Sequence, residues 1–229
     1  MDLYAGPRSH AGGAAAAEPV PDAEAFAATL AQAGRTATAN EDAFLVHAGP
    51  PFVVALADGA GHAEQAARQA LRQLDGLIVG AAVHGEIATF PAWSRWLRAL
   101  DAGMTGGAQS TLVALAVLER RILGAAVGDS RACLWSRDGE LTVLTEGADP
   151  RRLGSGAVAP LPIHVPFGRG DTLLLLSDGA WSPLPLARLR GIVARCALGP
   201  LADLPEAILA EASRTGRPDD MTVVAVRRR

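Results

Sequence analysis

The sequence predicts an α+β fold built from stacked layers, and three observations carry that prediction. Strand-like runs are grouped together and helix-like runs are grouped together, without the strict alternation of a parallel βαβ sheet. The strand candidates at 52–57, 122–127, 173–176 and 223–226 are unbroken apolar runs, the pattern of buried strands. Most of them border a short acidic motif, so carboxylates fall at strand ends, where the chain turns. With 229 residues, 49% of them hydrophobic and 20% charged, the chain has enough apolar material for one ample core.

Each element has its own signal. Residues 25–32 and 43–48 read as strands around a turn-like stretch at 34–40, and 52–57 reads as a buried strand. Residues 63–79 read as a helix: Ala66, Ala67, Ala70, Leu71, Leu74, Leu77 and Ile78 recur at helical spacing, with Arg68, Gln69, Arg72, Gln73 and Asp75 on the other side. A second helix is predicted near 91–100. Four strand candidates follow in quick succession at 110–118, 121–127, 132–136 and 141–145, and Asp138-Gly139 carries the turn signal of a hairpin between the last two. Residues 173–176 form a further strand, 186–196 and 201–213 form helices separated by Gly199-Pro200, and 221–226 closes the chain as a strand. Residues 1–22, rich in Ala, Gly and Pro, are expected to be a flexible lead-in to a domain spanning 23–229.

The acidic motifs are Asn40-Glu41-Asp42, Ala57-Asp58-Gly59, Gly128-Asp129-Ser130-Arg131, Ser177-Asp178-Gly179 and Asp219-Asp220-Met221-Thr222. Gathered on one edge of a sheet, such strand ends make a cluster of oxygen ligands. Clustered carboxylates repel unless a hard divalent cation sits among them, and Mg²⁺ or Mn²⁺ suits oxygen ligands best. The pattern therefore points to a metal-dependent hydrolase. Zinc is disfavoured, because no Cys or His pair shows ligand spacing. Cys133 and Cys196 are far apart in apolar surroundings and read as buried free thiols. His47, His84 and His164 stand alone, and His10 lies in the lead-in.

Composition excludes other chemistries. The net charge of -3 gives no reason for bulk nucleic-acid binding, and the terminal Arg227-Arg228-Arg229 reads as a solvated end. The chain contains no lysine, which removes the P-loop, Schiff-base and kinase-type lysines together. No apolar stretch approaches the ~20 residues of a membrane span. The N-terminus lacks the basic-then-apolar order of a secretory signal, so a cytoplasmic location is expected.

The ordered set Asn-Glu-Asp, Ala-Asp-Gly, Gly-x-x-Ser-Thr-Leu, Gly-Asp-Ser-Arg, Ser-Asp-Gly-x-Trp and Asp-Asp-Met-Thr-Val-Val resembles the PPM-type, metal-dependent Ser/Thr protein phosphatases of bacteria, the protein phosphatase 2C family. Any one of these motifs is weak, but their order and spacing are specific, and the match runs over residues 26–227. The resemblance implies two stacked antiparallel β-sheets flanked by helix pairs. It also implies hydrolysis of phosphoserine or phosphothreonine by a water activated at a dinuclear Mn²⁺ or Mg²⁺ site, with room for a third ion. By the same resemblance, Asp58 should bridge the two metals and the Gly59 carbonyl should complete one ligand set. Asp178 and Asp219 should hold the other metal. Glu41 and Asp42 should lie beside them, ligating directly or through water, and Asp129 matches a third-metal position shared with Asp178. Asp220 stands where Asn is usual and should anchor its strand without being a ligand. The implied partners are a phosphorylated protein and a Ser/Thr kinase pathway.

Two departures bear on substrate. Family members commonly carry a phosphate-binding Arg five residues before the Asp of the Asn-Glu-Asp motif, and Ala37 stands there. Arg35, two residues earlier and so on the same face of an extended strand, either substitutes for it or is a solvated turn residue. The segment 146–170 is short for the family's mobile flap, and Arg151-Arg152-Leu153-Gly154 reads as its remnant. His62 reads as a helix-start residue or a support behind the ligands, with a general-acid role as the alternative. Two other functions stay open at the level of sequence: a phosphatase of sigma-factor regulators, and a pseudophosphatase that binds phosphoproteins as a scaffold.

Overall fold

The computed structural model describes residues 23–30, 40–60, 65–82, 85–215 and 219–229. The predicted lead-in at 1–22, the turn that contains Arg35 and Ala37, and the residues His62 and His84 lie outside this set.

The described residues form strands β1 (Ala23–Leu30), β2 (Asp42–His47) and β3 (Phe52–Ala60), then helices α1 (Ala66–Ala82) and α2 (Phe90–Gly103). There follow β4 (Gln109–Ser110), β5 (Leu112–Val117), β6 (Arg121–Val127), β7 (Arg131–Trp135), β8 (Leu141–Val143), β9 (Leu161–Pro166) and β10 (Thr172–Leu176). The chain ends with α3 (Asp178–Trp181), α4 (Leu186–Cys196), α5 (Asp203–Ser213) and β11 (Met221–Arg228). One sheet runs β1-β11-β10-β7-β8; the other runs β2-β3-β5-β6-β9, with β4 attached to β3. Every pairing is antiparallel.

The layers follow from side-chain alternation. Along β3, Val53, Ala55 and Ala57 face α1 and α2, while Phe52, Val54 and Leu56 face the other sheet. Along β11, Val223 and Ala225 face α4 and α5, while Val224 and Val226 face inward. Both faces of these strands are covered, which is why their sequences show no polar alternation. The strand face under α1 and α2 is lined by small residues such as Ala55, Ala114, Ala116 and Ala125, and the helices fill that space with Trp93, Trp96, Leu74 and Ile78. Trp93 and Trp96 meet edge to face at 5.2 Å, and the Trp93 indole N–H donates to the Ile87 carbonyl at 2.9 Å. The architecture is the α-β-β-α sandwich that the motif resemblance implies. No described helix is long and apolar enough to cross a membrane.

Three sequence expectations need correction. The segment 146–170 contains a strand, β9, hidden by Pro162 and Pro166. Proline is tolerated there because β9 is the last strand of its sheet. Residues 151–154, expected as a flap remnant, are packed down: Leu153 is fully buried and forms a bridge with Ser110. Cys133 is buried as expected, but Cys196, at the end of α4, is partly exposed.

Candidate active site

The acidic motifs meet where the layer between the two sheets changes from apolar to polar. Asp42 and Asp58 are directly paired across β2 and β3. Each continues a register of inward-facing residues, Val46 and Phe44 before Asp42, and Val54 and Leu56 before Asp58. The opposing sheet does the same, with Thr222 after Val226 and Val224, and Ser177 after Leu173 and Leu175. Thr111 and Ser130 extend the registers of Val113 and Ala132. The site is thus the polar end of the inter-sheet core.

Hydroxyls and amides fix its backbone. Thr111 Oγ1 accepts from the Asp58 N–H at 3.0 Å and lies 2.7 Å from Ser130 Oγ, and the Thr111 N–H donates to the Asp58 carbonyl at 2.9 Å. Ser110 Oγ donates to the same carbonyl at 3.1 Å. Asn40 Oδ1 accepts from the Asp42 N–H at 2.8 Å. Asp220 Oδ2 accepts from the Glu41 N–H at 2.8 Å, tying the Asn-Glu-Asp motif to the start of β11 in the anchoring role expected for it. Ser177 Oγ accepts from the Thr222 N–H at 2.8 Å, which joins the ends of β10 and β11. Asp178 opens α3 just beyond. Gly179 has to be glycine: a Cβ there would lie 2.1 Å from the Asp220 carbonyl oxygen and 3.0 Å from Asp219 Cβ. That close approach sets the Asp178 and Asp219 backbones side by side. The Gly59 N–H donates to the Glu41 carbonyl at 3.3 Å.

Crowding is visible in the protonation of the two paired carboxyls. Burial, reinforced by Asp42, Asp178 and Asp129, pushes Asp58 up to about 9, with Arg152 acting the other way. Burial also pushes Asp42 up to about 7, with Asp220 and Asp178 adding to it and the hydroxyls of Ser177 and Thr222 opposing. Those hydroxyls lie alongside Asp42, yet Asp42 Oδ2 and Thr222 Oγ1 are buried without a hydrogen bond of normal geometry among the described residues. A buried carboxylate oxygen without a partner, among carboxylates that repel, is what a hard cation would satisfy. The all-oxygen donor set fits Mg²⁺ or Mn²⁺ in its chemistry. Among the described residues, no three acidic, His or Cys side chains converge into a ready-made cage.

The structure gathers Asp42, Asp58, Asp178, Asp129 and Asp220 into one electrostatic neighbourhood. Asp129 is at its rim, with a side chain 42% exposed and paired at 3.3 Å with Arg152. The Trp181 indole N–H donates to the Asp129 carbonyl at 3.0 Å, and the Arg131 guanidinium stacks 3.4 Å from the Trp181 ring centre. A cavity of about 660 Å³ opens beside Asp129, lined by Arg131, Glu146, Trp181, Pro183 and Leu186 among others. His47 is engaged elsewhere, its Nδ1 lying 3.1 Å from Asp75 of α1.

Sequence reasoning missed the supporting hydroxyls of Thr111, Ser130, Ser177 and Thr222, and it missed Arg152. The hydroxyls carry a readable signal, since each sits where a period-two inward register turns from apolar to polar. Arg152 is visible in the sequence only as part of the 151–154 segment, because it reaches the site through a long-range bridge.

Comparison with known proteins agrees with this fold. The family model described as Stage II sporulation protein E (SpoIIE) matches residues 49–229. A search of the curated proteins found no match. Among solved structures, the serine/threonine phosphatase PstP/Ppp of Mycobacterium tuberculosis superposes with a TM-score of 0.70 at 24% identity, covering 90% of this chain and 98% of that one. The catalytic domain of PstP in complex with 2 manganese ions gives 0.71 at 25% identity, covering 90% of this chain and 97% of that one. PppA, a regulatory component of the type VI secretion system of Pseudomonas aeruginosa, gives 0.67 at 20% identity, covering 92% of this chain and 99% of that one.

Proposed function

The chain belongs to the SpoIIE family and has the fold of the PPM-type phosphatases, and from that premise we propose that it is a metal-dependent phosphoprotein phosphatase hydrolysing phosphoserine or phosphothreonine. The observation that carries the proposal is the in-register pairing of Asp42 with Asp58 at the polar end of the inter-sheet core, with Asp178 and Asp129 close enough to raise the Asp58 pKa.

In this reading Asp58, the Gly59 carbonyl, Asp178 and Asp219 hold two Mn²⁺ or Mg²⁺ ions, with Glu41 and Asp42 ligating directly or through water and Asp129 offering a third position with Asp178. Bound there, the ions supply Lewis acidity towards the phosphoryl oxygens and lower the pKa of water. The chain's own residues do the rest. The hydroxyls of Ser110 and Thr111 and the amide of Thr111 fix the Asp58 backbone, so its side chain starts from a set position at the cluster. The hydroxyls and the thiol described beside these motifs do not compete with water as nucleophiles. Ser110, Thr111, Ser130 and Ser177 are buried and spend their oxygens on backbone or on each other. Cys133 is buried and pushed up to about 12, so it holds its proton. Ala37 leans towards the pseudophosphatase alternative, and the retained Asp58, Asp178 and Asp219 weigh more strongly against it.

A cytoplasmic setting and a partner Ser/Thr kinase complete the proposal. It is tested with Asp58→Ala and Asp178→Ala, assayed on a phosphoserine peptide at saturating Mn²⁺. Loss of turnover with retained folding supports the assignment; full activity in Asp58→Ala contradicts it.

A further inference from the structure

We propose that Arg152 binds the phosphoryl group of the substrate, the role for which position 37 offers only Ala; this rests on the phosphatase reading above. A dianion approaching a cluster of carboxylates needs a fixed cation, and a guanidinium can hold two oxygens at once. Arg152 is the cation that acts on Asp58. Its Nη2 lies 3.3 and 3.4 Å from the two Asp129 oxygens, long for a charge-assisted hydrogen bond, and its other nitrogens have no hydrogen-bond partner among the described residues. Its side chain is only 25% exposed, so the charge is held at the rim and not in bulk water.

The backbone that follows it is fixed at several points. Leu153 exchanges hydrogen bonds with Ser110 at 2.8 and 3.2 Å, and Ser110 Oγ in turn donates to the Asp58 carbonyl. Two residues, Leu153 and Ser110, therefore link Arg152 to the candidate ligand. Beyond it, the buried carboxylate of Asp101 on α2 accepts from the N–H groups of Gly154, Gly156 and Val158 at 2.7, 3.0 and 3.3 Å. Gly154 is at φ +90°, and a Cβ there would lie 2.2 Å from the Ala108 carbonyl oxygen. A loop held this firmly suits a group that must be in place before substrate arrives. Two nearby arginines are otherwise committed: Arg131 stacks on Trp181, and Arg151 pairs with Asp149.

The test compares the wild-type protein with Arg152→Ala and Arg152→Lys, in Mg²⁺, by steady-state hydrolysis of p-nitrophenyl phosphate and by calorimetric titration of inorganic phosphate. The expected result for Arg152→Ala is a rise in KM of about tenfold to a hundredfold with kcat changed much less, and a parallel loss of phosphate affinity. Arg152→Lys should recover part of both, because a point charge replaces a bidentate fork. A group that merely offset the carboxylates would change the Mg²⁺ requirement instead and leave KM and phosphate affinity alone. Unchanged KM and phosphate affinity in Arg152→Ala, with wild type active, overturns the proposal, as does a rise in KM that appears in Arg35→Ala and not in Arg152→Ala. If wild type shows no turnover, the phosphatase reading fails, and phosphate affinity equal in wild type and Arg152→Ala overturns the role of Arg152 separately.

Discussion

Asp42 on β2 and Asp58 on β3 stand directly opposite each other in an antiparallel ladder, so two carboxyl groups project from the same face of one sheet. Like charges in that arrangement oppose folding unless protons or cations offset them. The pair occupies the end of the inter-sheet layer, and the sheets can close there only over polar groups.

A pH dependence follows for the metal-free protein. Asp42 and Asp58 have folded values of about 7 and about 9 against an ordinary 3.8. Between the ordinary value and these raised ones, the folded state binds more protons than the unfolded state, so stability falls as pH rises. In EDTA, the midpoint of chemical denaturation should be higher at pH 5 than at pH 8. Saturating Mg²⁺ should flatten the difference. A midpoint in EDTA that climbs from pH 5 to pH 8 contradicts the electrostatic picture.

The same repulsion predicts that Asp58→Asn stabilises the metal-free form while abolishing catalysis. At pH 8 the folded wild type keeps on Asp58 a proton that the unfolded chain has released, and Asn needs none. Thermal unfolding at pH 8 in EDTA should give a higher Tm for the variant than for wild type, and a lower Tm would show that the Asp58 charge supports the fold.

Gly179→Ala should weaken the site by misplacing its neighbours. The new Cβ meets the Asp220 carbonyl at 2.1 Å, so the start of β11 must shift. Overpacking of this kind costs about 1–3 kcal/mol. Divalent affinity measured by calorimetry should fall along with Tm, because Asp178 and Asp219 flank the contact. Wild-type affinity in the variant would show that this approach does not set the ligand positions.

Asp101→Ala should release the loop that carries Arg152. Its carboxylate serves three backbone N–H groups, and leaving buried donors without a partner costs on the order of 1–3 kcal/mol each before relaxation. A stability loss with a rise in KM for p-nitrophenyl phosphate is expected. Stability loss with KM unchanged would mean that the loop anchor does not act through Arg152.

Much of this was legible in the chain. Continuous apolar runs marked the strands buried on both faces, and the order of the acidic motifs marked which strand ends belong together. β9 was not legible, because Pro162 and Pro166 contradict strand propensity and only its place at a sheet edge makes them tolerable. Asp101 was hidden for another reason: a lone acid in an amphipathic helix looks solvated until a loop more than 50 residues later folds over it. Arg152 depends on the same loop. The N-E-D motif was read as a ligand source, yet part of its role is mechanical, since the Glu41 amide is held by Asp220 across the two sheets.

The central claim is that the carboxylates around Asp58 work by holding catalytic divalent ions. The most direct measurement is hydrolysis of p-nitrophenyl phosphate by the purified protein, titrated with Mn²⁺, then stripped with EDTA and reloaded. The account predicts no turnover without metal, saturable activation that needs at least two ions per chain by calorimetry, and full recovery on reloading. Turnover that persists in EDTA, or a protein that binds no divalent ion, would contradict it.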